Sequence, residues 1–405
     1  MKKQGYPRVE INLAYLRHNV QYVVDKCAEK GIEVAGVIKG TTGIPQCAEQ
    51  FAAGGCKYIA SSRLEQLQDV RDYGIDKPFL LLRIPMLSEI EEVVRLTDMS
   101  LNSEMEVLRA LDAEAGKQGK KHKVLIMADL GDLREGYWDK DEMADVAYEV
   151  ETEMKNLYLA GVGVNVGCYG SVLATEEKLS ELVEVAEKIE ARIGRKLEYI
   201  SGGATSSFMR VLDGDIPPRV NFLRIGEQIM LARDLDVFYG YDMSEMRQDV
   251  YTLKAEVIEV KTKPTYPVGE LAVDAFGKTP EYTDRGMRKK ALIAVGKVDY
   301  GSIEEIFPKD KGVEVIGASS DHTILDIEDA ERDIKVGDIL AFGIDYASLV
   351  YVTSSRNVEH ADHRRSKHQG YNIVPYDEAG PGGINPAGMQ LRRQCTNRQR
   401  VGGAR

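Results

Sequence analysis

In this chain of 405 residues, one lysine stands where chemistry is done in many strand–helix proteins. It ends the run Glu33-Val34-Ala35-Gly36-Val37-Ile38-Lys39-Gly40. A short segment rich in valine and isoleucine and bounded by glycine reads as a buried strand of a parallel sheet. In a strand–helix barrel, the carboxyl end of such a strand opens into the mouth of the barrel. A lysine there forms a Schiff base with an aldehyde, or acts as a base once its pKa is lowered. Local sequence also allows the plainer alternative of a lysine that leads the chain into solvent. Arg83, Asn102, Asp129, Asn165, Ser201 and Arg224 end later apolar runs in the same way. Any one of them can be a satisfied structural polar group. As a set ending separate strands, they suggest one convergent site.

Two segments suit an anionic ligand. Ser201-Gly202-Gly203-Ala204-Thr205-Ser206-Ser207 follows one apolar run and opens a helix. Small residues let the backbone approach a ligand, and hydroxyls with free N–H groups at a helix start, Thr205 among them, suit a phosphate. Arg224-Ile225-Gly226-Glu227 offers a second helix start after the next run. Phosphate binding by the last two strand–helix loops recurs in barrels, although capped loops rich in serine and threonine are common in general.

The elements that position these residues follow from periodicity. Strands are predicted at 33–38, 57–61, 78–83, 97–102, 123–129, 158–165, 197–201 and 219–224, and helices at 63–73, 103–118, 139–155 and 175–193. Asn12 caps a further helix over about 14–30. Eight alternating strands in about two hundred residues predict a (β/α)8 TIM-like barrel over residues 1–235. An open doubly wound sheet is the alternative, but the glycine-rich dinucleotide fingerprint after the first strand is absent. Beyond residue 235 the strands are separated by turns: 252–260, 291–296, 313–317, 323–327, 338–343 and 348–353. They predict a C-terminal all-β domain over 236–360, which the early strand 9–13 is a candidate to join. Residues 361–405 carry eight Lys/Arg against three Asp/Glu, are rich in Gly, Pro, Asn and Gln, and lack apolar periodicity. They are expected to be disordered or non-native.

With 43% hydrophobic and 29% charged residues, the composition is that of an ordinary globular protein, and the net charge of −12 argues against a nucleic-acid binder. No apolar run approaches a membrane span, and the start lacks the apolar core of a signal peptide. Five cysteines, odd in number and without ligand spacing, fit a reducing cytoplasmic compartment with neither a disulfide framework nor a metal site.

Several segments together resemble the alanine racemase family of pyridoxal-phosphate enzymes. Val9-Glu10-Ile11-Asn12-Leu13 through Leu16-Arg17-His18-Asn19-Val20 is similar to the family's N-terminal signature, the strand ending in Lys39 to its cofactor-lysine motif, and Val220–Gly226 to the segment whose arginine contacts the pyridine nitrogen. The resemblance covers about residues 8–355 and implies a barrel followed by a β domain, pyridoxal phosphate as cofactor, and a homodimer whose active sites are shared between subunits. It places Asn165, Ser201, Thr205, Arg224, Gly226 and Glu227 beside the cofactor, and Arg134 where it orients a carboxylate directly or through the cofactor's phenolic oxygen.

The departures are informative. Lys39 is followed by Gly40-Thr41-Thr42-Gly43 where the family has a phosphate-binding tyrosine. Met127 replaces a lysine that can be carbamylated, and Asn165 replaces a ring-stacking histidine. Lys297 stands at the partner-subunit catalytic tyrosine, in Ala294-Val295-Gly296-Lys297-Val298-Asp299-Tyr300. These features, with Gly131–Tyr137 and Gly317–His322, resemble the ornithine racemase branch, which implies a basic amino acid as substrate. A distal ammonium needs an acidic partner, for which Asp132, Glu135, Asp299 and Asp321 are candidates, although most such acids are simply solvated. Racemisation needs proton-transfer groups on both faces of the α-carbon. Lys39 takes one, and by the resemblance Lys297 takes the other, with Tyr300, His322 and Tyr346 as alternatives. Tyr169 and Tyr346 are candidates to line the entrance, and His322 and Tyr346 to meet the substrate. The competing readings are a racemase of alanine, serine or lysine, a decarboxylase or aldolase, and a non-catalytic pyridoxal-phosphate carrier.

Overall fold

The strands Glu33–Val37, Tyr58–Ser61, Phe79–Leu81, Met99–Asn102, His122–Ala128, Leu157–Val164, Tyr199–Ser201 and Phe222–Ile225 pair in parallel, each with the next, and the last returns to the first to close a barrel. This is a computed structural model, and it describes residues 5–358 except 275 and 280, together with the backbone of 372–374. Side chains alternate across each strand. Ala35 and Val37 join the barrel interior, while Val34 faces the helices outside. Gly36 also faces outward, where Phe51 lies so close that a Cβ would come within 2.4 Å of its ring. At the interior floor the rings of Tyr58, Tyr199 and Phe222 form a cluster with centroids 4.7–6.2 Å apart. The barrel is therefore filled, and a ligand site can form only at its ends.

Helices cover the outside. Leu13–Ala28 starts on the Asn12 side chain, which accepts from Tyr15 N at 3.1 Å. Glu176–Ile193 starts on Thr175 in the same way and buries Leu179, Leu182, Val185, Ala186 and Ile189 at helical spacing.

The second sheet is antiparallel and centred on Tyr251–Pro264, in which Tyr251, Leu253, Ala255 and Val257 are buried and the residues between them are more open. Met287–Ile293 and Ile339–Ile344 flank this strand. Glu314–Ala318, Thr323–Asp326 and Ile306–Pro308 extend the sheet outward, and Arg8–Asn12 pairs with its first residues. One expectation needs correction. The segment 348–353, read as a strand from its Leu-Val-Tyr-Val run, is part of the helix Tyr346–Ser354. It buries Ser348, Leu349, Val352 and Thr353, a helical spacing that the apolar composition hides. That helix and the short helix Lys297–Tyr300 accompany the antiparallel sheet of the C-terminal β domain. The expectation of a disordered or non-native end at 361–405 falls outside the described residues, apart from Asn372–Val374, whose backbone pairs in parallel with Arg8–Asn12. Among the described residues no helix is long and apolar enough to cross a membrane.

Candidate active site

Lys39 follows Ile38 at the carboxyl end of Glu33–Val37 and opens a single turn of 3-10 helix. It lines a cavity of about 710 Å³ at the barrel mouth. Its side chain is accessible, but to this concavity, whose walls thin the surrounding water. That desolvation lowers its pKa, and the charge of Arg134 lowers it further. The next residue must be small. A Cβ on Gly40 would lie 2.6 Å from Met230 Cε and 3.0 Å from Tyr346 Cε2. Tyr346 thus packs on the residue beside the lysine, and it also lines the cavity.

Arg224, on the last barrel strand, is buried. Its guanidinium donates to Val164 O at 2.8 Å and to Ser201 Oγ. Burial pushes its pKa down to about 10, so it remains a fixed cation at neutral pH. Ser201 is fully buried behind it and outside the cavity lining, so it positions the arginine instead of meeting a ligand directly.

The two helix starts expected for an anion meet at the mouth. Helix Thr205–Asp213 presents its first N–H groups, which have no acceptor within the helix. Gly203, at φ +118°, gives the turn a backbone conformation that other residues rarely adopt. Ser206 Oγ donates to Val166 O at 2.7 Å, and Gln228 N donates to Thr205 Oγ1 at 3.3 Å, which ties the two loops together. Gly226 packs so closely on the first strand that a Cβ would lie 3.0 Å from Val37 Cβ. The carboxyl of Glu227 accepts from Arg233 N and Asp234 N at 3.1 and 3.2 Å. A carboxylate repels phosphate, so Glu227 can serve an anion only through its backbone.

A third loop carries Arg134. Asp129 Oδ1 accepts from Gly131 N and Leu133 N, at 2.9 and 3.1 Å, and Tyr137 N returns to Met127 O. Arg134 then reaches the cavity, donating to Glu135 and, at 2.9 Å, to Cys168 Sγ. Met127 is fully buried inside the barrel.

Of the expected residues, Lys39, Arg83, Arg134, Asn165, Thr205, Arg224, Gly226, Glu227 and Tyr346 share this cavity lining. Others do not. Asp132 is buried, with its carboxylate accepting from Cys168 N, Tyr169 N and Val172 N at 3.0–3.3 Å, so it shapes a loop. Asp299 is buried and accepts from Ser355 Oγ at 2.7 Å and Asn357 Nδ2 at 3.1 Å. The hydroxyl of the fully buried Tyr300 pairs with Thr323 Oγ1 at 2.7 Å. Lys297 lies over the Phe276 ring, 4.4 Å from its centroid, while Asp321 and His322 are exposed in a turn. All six lie outside this chain's own cavity lining. Asn102 is buried against Ser100, and Tyr169 is 74% exposed away from the lining. Sequence reading missed one wall entirely, helix Asp234–Tyr239, which contributes Asp234, Leu235, Phe238 and Tyr239. Its signal was the acidic first turn directly after the Arg224 motif, at a position read as a domain boundary.

A lysine of lowered basicity, a buried arginine and a helix start on separate strand ends of one closed barrel define a class: enzymes that hold a phosphorylated aldehyde beside a reactive amine. The comparisons narrow it. The family model for the alanine racemase N-terminal domain matches residues 11–234. The ornithine racemase of Acetoanaerobium sticklandii is 38% identical over 87% of this chain and 99% of its own length; the lysine racemase of Thermotoga maritima is also 38% identical, over 87% and 98%. An alanine racemase from Streptomyces lavendulae superposes with a TM-score of 0.69 at 17% identity, covering 93% of this chain and 99% of the other. The chain belongs to the alanine racemase family, and its cofactor is pyridoxal phosphate. The residues present fit that group. Asn165 Nδ2, on the cavity lining, is buried with no partner among the described residues, so a donor stands ready there. The glycine-shaped turn before Thr205 leaves backbone N–H groups for a phosphate, and among the described residues no acidic side chain is bonded to Lys39 or Arg224 to compete with a ligand.

Proposed function

We propose that the protein is a pyridoxal-phosphate-dependent racemase of basic amino acids, with ornithine as its first substrate and lysine as its second. The observation that carries the reading is the pairing of Lys39, its amine made less basic at the mouth of the barrel, with two relatives of near full-length match that act on ornithine and lysine. Pyridoxal phosphate, when bound, supplies an aldehyde for amine condensation and a ring that spreads the charge left on a deprotonated α-carbon. The remaining work belongs to this chain. Lys39 Nζ, less basic than an ordinary lysine, accepts and returns a proton on one face of the α-carbon. Arg224 donates toward the pyridine nitrogen and, being always charged, cannot accept a proton from it. Thr205, Ser206 and the N–H groups at their helix start hold the phosphate, with Gly226 and the backbone of Glu227 completing the cradle. Arg134 orients the substrate carboxylate, and Asn165 supplies a donor to the ring substituents.

Lys297 of a second copy serves the opposite face of the α-carbon, with Asp299, Asp321 and His322 near that edge. This reading implies a homodimer with shared active sites. The position of Lys297 off its own cavity supports it. We take residues 1–235, apart from the strand Arg8–Asn12 that joins the second sheet, and 236–360 as the two bodies of each subunit. A cytoplasmic location fits the free thiols of Cys27, Cys47, Cys56 and Cys168.

The test is α-proton exchange in deuterated water, followed by NMR with chiral chromatography, on ornithine, lysine, alanine and serine with pyridoxal phosphate present. Deuterium at the α-carbon of ornithine, with the D-isomer appearing, is the expected result. Exchange on alanine alone would retain the racemase and discard the basic substrate. Bound cofactor with no exchange on any amino acid would favour the carrier.

A further inference from the structure

Resting on that reading, we infer that Asp234 receives the distal ammonium group of the substrate and that Glu227, buried behind it, is the residue that positions it. Four acids were candidates from sequence, and within one chain none of them offers an unpaired carboxylate to the cavity. Asp132 is saturated by three backbone N–H groups, Asp299 is bonded inside the C-terminal region, Asp321 lies outside the cavity, and Glu135 is paired with Arg134. Asp234 differs from all of them. It lines the cavity, and no hydrogen bond or ion pair reaches its carboxylate among the described residues. The neighbouring Arg233 is committed to an ion pair with Asp345 and reaches Asp234 only through the field of its charge.

Glu227 supplies a second, independent sign of a missing cation. Its side chain is 7% exposed and lines the same cavity. One carboxyl oxygen accepts the N–H groups of Arg233 and Asp234 and so fixes the start of helix Asp234–Tyr239. The other oxygen is buried with no partner among the described residues. A buried acid with an unsatisfied oxygen beside a second carboxyl is costly unless a positive group arrives. Both acids are accordingly held above the usual carboxylate range, first by burial, and then by Asp234 acting on Glu227 and by Asp345 on Asp234. An ammonium placed at Asp234 removes that repulsion.

The acids also lie at a suitable place along the wall. Both act electrostatically on Tyr346, and the Tyr346 ring packs on Gly40, the residue after Lys39. Lys39, Tyr346 and both acids line the same cavity, so a substrate held at Lys39 can extend its side chain along that wall.

The experiment compares kcat/KM for ornithine with that for norvaline, which has the same carbon chain and no distal ammonium. It uses the cofactor-loaded protein and its Asp234→Asn and Glu227→Gln variants, with thermal unfolding and cofactor absorbance recorded for each. In Asp234→Asn, the preference for ornithine over norvaline is expected to fall about 10- to 100-fold, the usual worth of a charge-assisted hydrogen bond, mostly through KM. Glu227→Gln moves it the same way by less. Asp234→Glu keeps the charge but moves it forward by one methylene, so the preference shifts from ornithine toward 2,4-diaminobutanoate. A folded Asp234→Asn protein that still prefers ornithine as strongly as the parent would overturn the inference, as would an Asp234→Glu variant with an unchanged order of substrates. If the parent protein exchanges no amino acid, the racemase reading itself fails. If the parent racemises ornithine and the variants retain its preference, only the role of Asp234 falls.

Discussion

An amine can take a proton from carbon only while it is neutral, so the charges around Lys39 decide the pH at which it works. Burial lowers its pKa, Arg134 and Arg224 lower it further, and Cys168 and Glu135 act in the opposite direction. The neutral fraction therefore grows as pH rises through a value below the ordinary lysine range. Two neutralising substitutions then move this point in opposite directions. Arg134→Gln removes a neighbouring cation and leaves Glu135 unpaired, so Lys39 becomes more basic. Glu135→Gln removes an anion, so Lys39 becomes less basic. The rate at which the protein takes up pyridoxal phosphate, measured by absorbance across a pH series, should shift to higher pH in the first variant and to lower pH in the second. Shifts in the same direction in both would contradict this account. At this scale the sequence disclosed a residue only where periodicity marked it. Lys39 and Arg224 end apolar runs, so their place at the mouth follows from counting. Asp234 sits in the first turn of a short helix, where acids are common for reasons unrelated to ligands, and only the folded wall shows its carboxylate without a partner among the described residues.

The long helix Glu176–Ile193 is fastened to the barrel by one acid in its last turn. Glu190 has a side chain 5% exposed and accepts from Arg219 at 2.5 and 2.9 Å, from Lys196 Nζ at 2.7 Å and from Leu197 N at 3.0 Å. These contacts tie the helix end to the segments leading into Tyr199–Ser201 and Phe222–Ile225, the two strands that supply Ser201 and Arg224. Burial alone would raise the pKa of this carboxyl, but Arg219, Lys196 and the Leu197 N–H outweigh it and hold the value at about 2. The folded value lies below the unfolded one, so this stabilisation is present above the ordinary carboxylate range and is lost as pH falls toward about 2. Glu190→Gln is expected to cost about 1–3 kcal/mol at neutral pH. Urea unfolding should show the gap to the parent narrowing as the solution is acidified, whereas a gap that does not change with pH would assign the effect to packing alone. The barrel was legible at this scale because each strand is a short apolar run and each helix an amphipathic one, and the two periods alternate. The helix Tyr346–Ser354 was not. Its aliphatic, aromatic and hydroxyl residues suit a strand equally well, and its shape depends on contacts from afar, such as Ser348 Oγ donating to Tyr300 O at 2.6 Å.

A single barrel mouth holds one amine beside a cofactor site, but racemisation needs a proton-transfer group on each face of the α-carbon. Within one chain Lys297 cannot be that group, because it lies off the cavity and over the Phe276 ring, and Tyr346 on the lining is the alternative. If a second copy brings Lys297 to the open side, each site needs Lys39 from one subunit and Lys297 from the other. Lys39→Ala and Lys297→Ala homodimers then lack a group at both of their sites. A mixed dimer restores one complete site, because the subunit that lost Lys297 still carries Lys39 and its partner still carries Lys297. The other site of that dimer lacks both. When equal amounts of the two variants are unfolded and refolded together, half of the dimers are mixed and half of their sites are complete, so about a quarter of the parent exchange rate should return. Refolding each variant alone should return none. Two groups acting within one chain predict no recovery on mixing, because every site would still lack one of them. The mixing experiment thus tests the shared site at the only scale where it exists, that of the assembly.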